Sequence, residues 1–135
     1  MNPYHYDSSI QEVKLWLKKD TSRLLYYSVQ FRSALDTCYS ENSLVKGEYY
    51  LPKIKNRAPL AILVHGMGDY SIIPCRLLAR SLLKHGIACF IPYLSLHSER
   101  IPEAIRSNMP NLTPDQWFQI YQLLNCLCNY KSPRF

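Results

Sequence analysis

The stretch "LAILVHGMGDY", residues 60–70, decides how this chain is read. Leu60, Ala61, Ile62, Leu63 and Val64 form an apolar run with no alternating polar positions. Such a run is expected to be a strand covered on both faces, the habit of parallel sheets in α/β proteins. It stops at His65-Gly66-Met67-Gly68. Glycines two apart let the backbone bend tightly and bare its N–H groups above the carboxyl end of the strand, where open α/β sheets place ligands.

Downstream of the turn, Pro74 suits the first turn of a helix, and Cys75, Leu78, Ala79 and Leu82 fall on one face at spacings of three and four. Gly86, after Lys84 and His85, is expected to cap that helix. The continuously apolar run Ile87 to Leu94 then reads as a second buried strand, so strand, helix and strand make a βαβ unit with parallel pairing. Residues 95–112 lack a clear period and read as a long loop. Thr113-Pro114-Asp115-Gln116 is a helix start, with a capping hydroxyl, proline at the first helical position and Gln at the third. Trp117, Ile120, Tyr121 and Leu124 mark an apolar stripe behind it.

Upstream, Ser8 and Gln11 have the spacing of a capping box, and Ile10, Val13, Trp16 and Leu17 recur at helical spacing, which predicts an amphipathic helix over 8–19. Tyr27, Val29 and Phe31 alternate with more polar neighbours, the period of a strand, and a second strand is expected at Lys46 to Leu51. The polar DTCYSENS between them makes the pair a hairpin. Pro52 to Pro59 is a basic loop leading into the decisive strand.

Composition narrows the classes. A chain of 135 residues that is 47% hydrophobic is one ordinary globular domain rather than a disordered one. The N-terminus has no basic segment leading into an apolar one, and no run approaches the length of a membrane span, so a cytoplasmic, non-membrane protein is expected. Cys38, Cys75, Cys89, Cys126 and Cys128 lack metal-ligand spacing and read as reduced thiols packed as small hydrophobes, with no metal or redox role. The net charge of +6 raises nucleic acid as a partner. Its carriers are scattered over solvated faces (Lys14, Lys18 and Lys19; Lys53, Lys55 and Arg57; Arg76, Arg80 and Lys84), which argues against that partner.

Over roughly residues 22–124, the hairpin, the turn "ILVHGMGD", the helix "PCRLLARSLLKHG" and the strand "IACFIPYL" resemble the α/β-hydrolases. Within them, the closest likeness is to the serine-esterase and dienelactone-hydrolase-like group. The resemblance implies a partial α/β-hydrolase fold: an N-terminal helix, a β-hairpin, then a βαβ unit of a mostly parallel sheet. Residues 1–21 would be a helical segment and 22–135 the N-terminal part of the hydrolase-like domain. In that family the turn after this strand supplies half of an oxyanion hole. By position in the motif, the N–H of Met67 would be the donor, Gly66 and Gly68 would shape the turn, and His65 would hold it by hydrogen bonds. A tight strand-to-helix turn in a nonhydrolytic α/β domain is the plainer alternative.

The family's nucleophile lies on G-x-S-x-G, and no such motif occurs here, since Gly47, Gly66, Gly68 and Gly86 frame neither a serine nor a cysteine. The acid and histidine of the family come later still, so no triad can be assembled from these residues. Residues 125–135 carry no strand-like run of sufficient length, and the sequence therefore reads as an inactive fragment of a serine hydrolase acting on a small-molecule ester or related acyl bond. His97, Ser98, Glu99 and Arg100 are contiguous, and sequence neighbours rarely converge on one reacting atom. Ser98, Glu99 and Arg100 are expected as pocket residues, as braces of the hairpin, or simply as solvated loop. Asp69 and Tyr70 would line the mouth of the turn. A sheet lacking the nucleophile strand leaves a parallel edge uncovered, so marginal stability and self-association through that edge are expected. The rival from another class is a small noncatalytic α/β module that binds a protein partner.

Overall fold

The computed structural model describes residues 12–33, 40–54, 57–66, 71–95, 97–107, 111, 113–116 and 118–119. Five strands, β1 (Lys14–Asp20), β2 (Leu24–Arg32), β3 (Leu44–Pro52), β4 (Leu60–Ile62) and β5 (Ala88–Pro92), form one sheet in the order β1-β2-β3-β5-β4. Among the described residues a helix of three turns, α1 (Ile73–Lys84), joins β4 to β5, a single turn, α2 (Glu103–Arg106), follows β5, and residues 114–116 and 118–119 are also helical. The sheet is mixed: β1, β2, β3 and β5 pair antiparallel in succession, and only β4 and β5 pair parallel. The mostly parallel sheet expected from the resemblance is therefore not what the described residues form. The βαβ unit within it is, because parallel neighbours need a crossover and α1 provides it.

The β2–β3 hairpin has nine paired positions, Leu24↔Pro52 through Arg32↔Leu44, and Ser33 N–H donates to Ser43 O at 2.8 Å to continue it. Tyrosine pairs reinforce both of its faces. Tyr26 stacks on Tyr50 at 4.8 Å on one side, and Tyr27 lies over Tyr49 at 6.1 Å on the other.

The helix expected over 8–19 is overturned where the chain is described. Residues 14–20 are β1, paired with β2 from Lys14↔Gln30 to Asp20↔Leu25. Residues 8–11 lie outside the described residues. The cause is an ambiguity of period: Val13, Trp16 and Leu17 fit a helix, while Val13, Leu15 and Leu17 fit one face of a strand. An open edge on the tyrosine-rich β2 selects the second. A bulge between Leu17 and Lys19 absorbs the extra residue. At the β1–β2 turn, the Thr21 hydroxyl donates to Leu24 O at 3.0 Å and accepts the Leu24 N–H at 3.1 Å.

Helix α1 ends as its sequence requires. Gly86 has φ +76°, Gly86 N–H donates to Leu83 O at 3.1 Å and Ile87 N–H to Leu82 O at 3.2 Å, which together are a Schellman motif. The long loop after β5 contains two single turns, residues 98–100 and α2. The helix start at Thr113 is formed as a reciprocal capping box: Gln116 N–H donates to Thr113 Oγ1 at 3.3 Å, and Thr113 N–H to Gln116 Oε1 at 2.9 Å. Trp117, Ile120, Tyr121 and Leu124 lie outside the described residues.

Alternation along the strands gives the sheet two unlike faces. On one, Cys75 and Ala79 of α1 pack on Cys89 and Ile91, with Tyr50, Ala61, Leu63 and Leu82 around them. Toward β1 that face is mixed, with Lys14, Ser28 and Gln30 at paired positions beside the exposed Trp16. The opposite face is apolar across all five strands. Registers align Leu17, Tyr27, Tyr49, Phe90 and Ile62 in one row, and Leu15, Val29, Gly47 and Pro92 in the next. Strand β4, expected to be covered on both faces, is covered on one: Ala61 and Leu63 meet the core, while Leu60 and Ile62 are exposed. It is also a sheet edge. Pro59 O and Leu63 N–H bond to β5, so by alternation the backbone groups of Leu60 and Ile62 face the open side.

Gly47 is required where the rows converge. A Cβ there would sit 2.6 Å from Ile91 O and 2.9 Å from the Phe90 ring. Gly47→Ala is expected to lower the unfolding free energy by about 1–3 kcal/mol through forced displacement of β5, as measured by urea denaturation; an unchanged midpoint would refute this packing.

Candidate functional site

The parallel pair β4–β5 directs two carboxyl ends to the same side, and the candidate site is where they meet. His65 follows β4 and is buried. Its Nε2 accepts the Leu94 N–H, beyond β5, at 3.3 Å, and its Nδ1 lies 3.2 Å from Gly66 O. An acceptor at Nε2 places the proton on Nδ1, so the ring donates to Gly66 O and ties the start of the turn to the end of β5. The His97 ring packs against it at 4.6 Å, and His97 Nδ1 donates to Ser95 O at 2.8 Å. With Nε2 engaged by an amide, the His65 ring links the residues just after β4 to the segment beyond β5. Met67, Gly68, Asp69 and Tyr70 lie outside the described residues.

Ser98, Glu99 and Arg100 form one 3-10 turn that does not converge on His65. Ser98 is exposed with φ +52°, a left-handed backbone uncommon for a residue with a Cβ. Glu99 reaches back to Lys46 on β3 at 3.1 Å, an exposed pair of small energetic weight. Arg100 is buried and braces the hairpin: Nη1 donates to Tyr93 O at 2.7 Å and Nη2 to Asn42 O, in the β2–β3 connection, at 2.9 Å. Its Nε is buried without a partner, and burial pushes the guanidinium pKa down. Of the three readings open for this triplet, bracing describes Glu99 and Arg100, and solvation describes Ser98.

The most heavily hydrogen-bonded group in the described fold was not singled out from sequence. Glu48, on β3, is buried at 1% exposure, and its carboxylate receives donors from three elements. Arg76 of α1 forks onto both oxygens, with Nε to Oε2 at 3.0 Å, while Tyr50 Oη donates to Oε2 at 2.7 Å and Tyr93 Oη to Oε1 at 2.9 Å. Arg76, expected on a solvated helix face, is half-exposed but committed to this pair. The available signal was parity, since Lys46, Glu48 and Tyr50 share a face and a carboxylate at the centre of that row must find donors.

Burial pushes the Glu48 carboxyl up, and the hydrogen bonds from Arg76, Tyr50 and Tyr93 outweigh it, leaving the pKa below its ordinary value. Burial and the neighbouring Glu48 push Tyr50, Tyr93 and Tyr26 up. Among the described residues no group of His, Cys, Asp and Glu is placed to hold a metal ion, and no helix is long and apolar enough to cross a membrane. Cys75 and Cys89 are core residues, and burial raises the Cys89 thiol. Compared with known proteins, the chain matches no family model and no curated protein sequence.

Two outcomes test this arrangement. His65→Leu should cost roughly 1–3 kcal/mol by stranding the Leu94 N–H and should speed hydrogen exchange at that amide, whereas Glu99→Gln should cost under about 1 kcal/mol. The stabilising contribution of Glu48, full above the ordinary glutamate value of about 4.3, should disappear as pH falls through the lower folded value. That of the three tyrosines should disappear as pH rises above about 10. Urea midpoints across pH should therefore form a plateau with two falling limbs, and Glu48→Gln should flatten the acid limb.

Proposed function

We propose that this chain carries the N-terminal half of an α/β-hydrolase-like sheet, in which the HGMG turn is an oxyanion loop for cleavage of an ester or related acyl bond. The observation that carries the reading is positional. The sequence HGMG follows the carboxyl end of β4, the strand is followed by a crossover helix and a parallel neighbour, and the His65 ring at the start of that sequence accepts the Leu94 N–H beyond the neighbour at 3.3 Å. Open α/β sheets bind ligands at such carboxyl ends.

In the proposed parent reaction a serine attacks the acyl carbon, a histidine takes the hydroxyl proton, and the negative charge that develops on the carbonyl oxygen is met by backbone N–H groups. Met67 would supply one of those groups, with Gly66 and Gly68 allowing the close approach. His65 acts on this chemistry only by fixing the turn. The nucleophile, acid and base are not among these 135 residues, which contain no G-x-S-x-G. The proposed state of this chain alone is therefore inactive, and no cofactor enters the proposed reaction.

A noncatalytic module that binds a protein partner is the second reading, favoured by the apolar sheet face and open β4 edge. Its mark would be a specific, saturable partner.

Reading the coding sequence beyond the Phe135 codon in all three forward frames separates the two. An elbow followed by an acid and a histidine supports the hydrolase reading, and their absence from every frame removes it. The purified chain should release p-nitrophenol from p-nitrophenyl acetate no faster than an equal concentration of an unrelated protein; a stoichiometric burst would show a nucleophile where none is proposed.

A further inference from the structure

Helix α1 covers only part of its side of the sheet. Its buried residues Cys75 and Ala79 pack on β5, and the half of that side formed by β1 and β2 lies beyond it. On this half, register sets Lys14, Trp16 and Lys19 of β1 beside Gln30, Ser28 and Tyr26 of β2. Strand β1 is exposed at every position, and Trp16 is 44% exposed. Tyr26 stacks on Tyr50 of β3 at 4.8 Å with the ring planes 12° apart, so its other ring face is turned toward β1. Arg76 reaches Glu48 on β3, which sets that flank of α1, with the exposed Arg80 one turn on, along the same half.

Charge on this surface is one-sided. Lys14, Lys19, Arg32 and Lys46 share the side by register, and Arg76 and Arg80 flank it. Among the described residues these cations face three carboxylates, each already held by one of them: Glu12 by Lys14 at 4.0 Å, Glu99 by Lys46 at 3.1 Å, and Glu48 by Arg76. An excess of three positive charges remains. Lys14 and Lys19 are far in sequence from Arg76 and Arg80, and the strand order is what gathers them.

We propose that this half-face binds single-stranded nucleic acid, with bases stacked on Trp16 and on the outer ring face of Tyr26 and phosphates held by Lys19 and Arg80. Exposed aromatic rings accept unpaired bases of any sequence, and a cationic rim tracks the backbone between them. Ser28 and Gln30 offer hydrogen bonds across the floor without adding charge. An acidic peptide would answer the charge but not the flat aromatic faces, and a duplex keeps its base faces stacked within itself. The inference goes beyond the hydrolase reading and does not depend on the chemistry of the HGMG turn.

Fluorescence anisotropy of a labelled oligothymidylate of about 15 nucleotides, titrated with the intact chain, tests the proposal. The expected Kd is about 1–100 µM near physiological salt, and log K should fall against log salt with a slope of about −2, from three charges at roughly −0.7 each. Trp16→Ala should raise Kd about fivefold or more with the slope unchanged, and Trp16→Phe should restore it to within about threefold. Lys19→Ala and Arg80→Ala should each weaken binding and flatten the slope by about 0.7. Lys53→Ala removes the same charge from the opposite side of the sheet and should leave Kd within about twofold. Lys19 and Arg80 are exposed, so their variants decide if Trp16→Ala fails to fold. A duplex of the same length should bind more weakly. Equal or tighter binding of the duplex, equal losses in Lys19→Ala and Lys53→Ala, or an unchanged Kd for a folded Trp16→Ala overturns the proposal. So does a chain that ignores the oligonucleotide, and its capture by phosphatidylserine vesicles would then give the surface to a membrane.

Discussion

Glu48 is the constraint on which the rest of the described fold turns. A carboxylate at 1% exposure cannot be left alone, because removing an ion from water costs several kcal/mol unless charge and donors replace the lost hydration. Its donors come from its own strand (Tyr50), from the crossover helix (Arg76) and from the end of β5 (Tyr93). Satisfying it therefore fixes α1 over β3 and β5 beside β3. Strand β4, which must pair parallel with β5, is left outermost, and His65, which follows it, lies beside the end of β5.

Magnitudes separate this node from the other ion pairs. Lys46–Glu99, Lys53–Asp20 and Arg106–Glu103 each have at least one widely exposed partner, and such pairs contribute between nothing and about 1 kcal/mol. Glu48–Arg76 joins a buried group to a half-exposed one, so the guanidinium keeps much of its hydration while the carboxylate is supplied by the fork and two hydroxyls. Arg100 solves the complementary problem less completely. It meets two carbonyl oxygens and no described carboxylate, leaving Nε unpartnered. The first arrangement holds layers together, and the second fastens a connection to a strand end.

Local signals were the legible ones. The Gly86 cap, the Thr113–Gln116 box, the alternation of β2 and the apolar run of β5 each lie within a few residues, and each was readable as written. Readings that depended on distant partners went astray. Residues 14–19 have two compatible periods, and the vacant edge of β2 settles which is used. The run 60–64 is apolar enough for two covers, yet the described fold supplies only one. Arg76 looks like a solvated helix residue until Glu48, twenty-eight positions earlier, is placed beneath it. At the site, His65 and the glycines were visible as a motif, while the packing of His65 against His97 required knowing that β4 and β5 end together.

The functional reading stands on strand order, because the turn after β4 gains its meaning from the parallel strand beside it and from the sheet edge beyond. Nuclear Overhauser contacts across the sheet test that order most directly. The account predicts cross-strand contacts of Tyr49 with Phe90 in antiparallel register and of Phe90 with Ile62 in parallel register, with none from β3 to β4. Contacts between Tyr49 and Ile62, with β5 displaced to the edge, would contradict it and detach the HGMG turn from the site proposed for it.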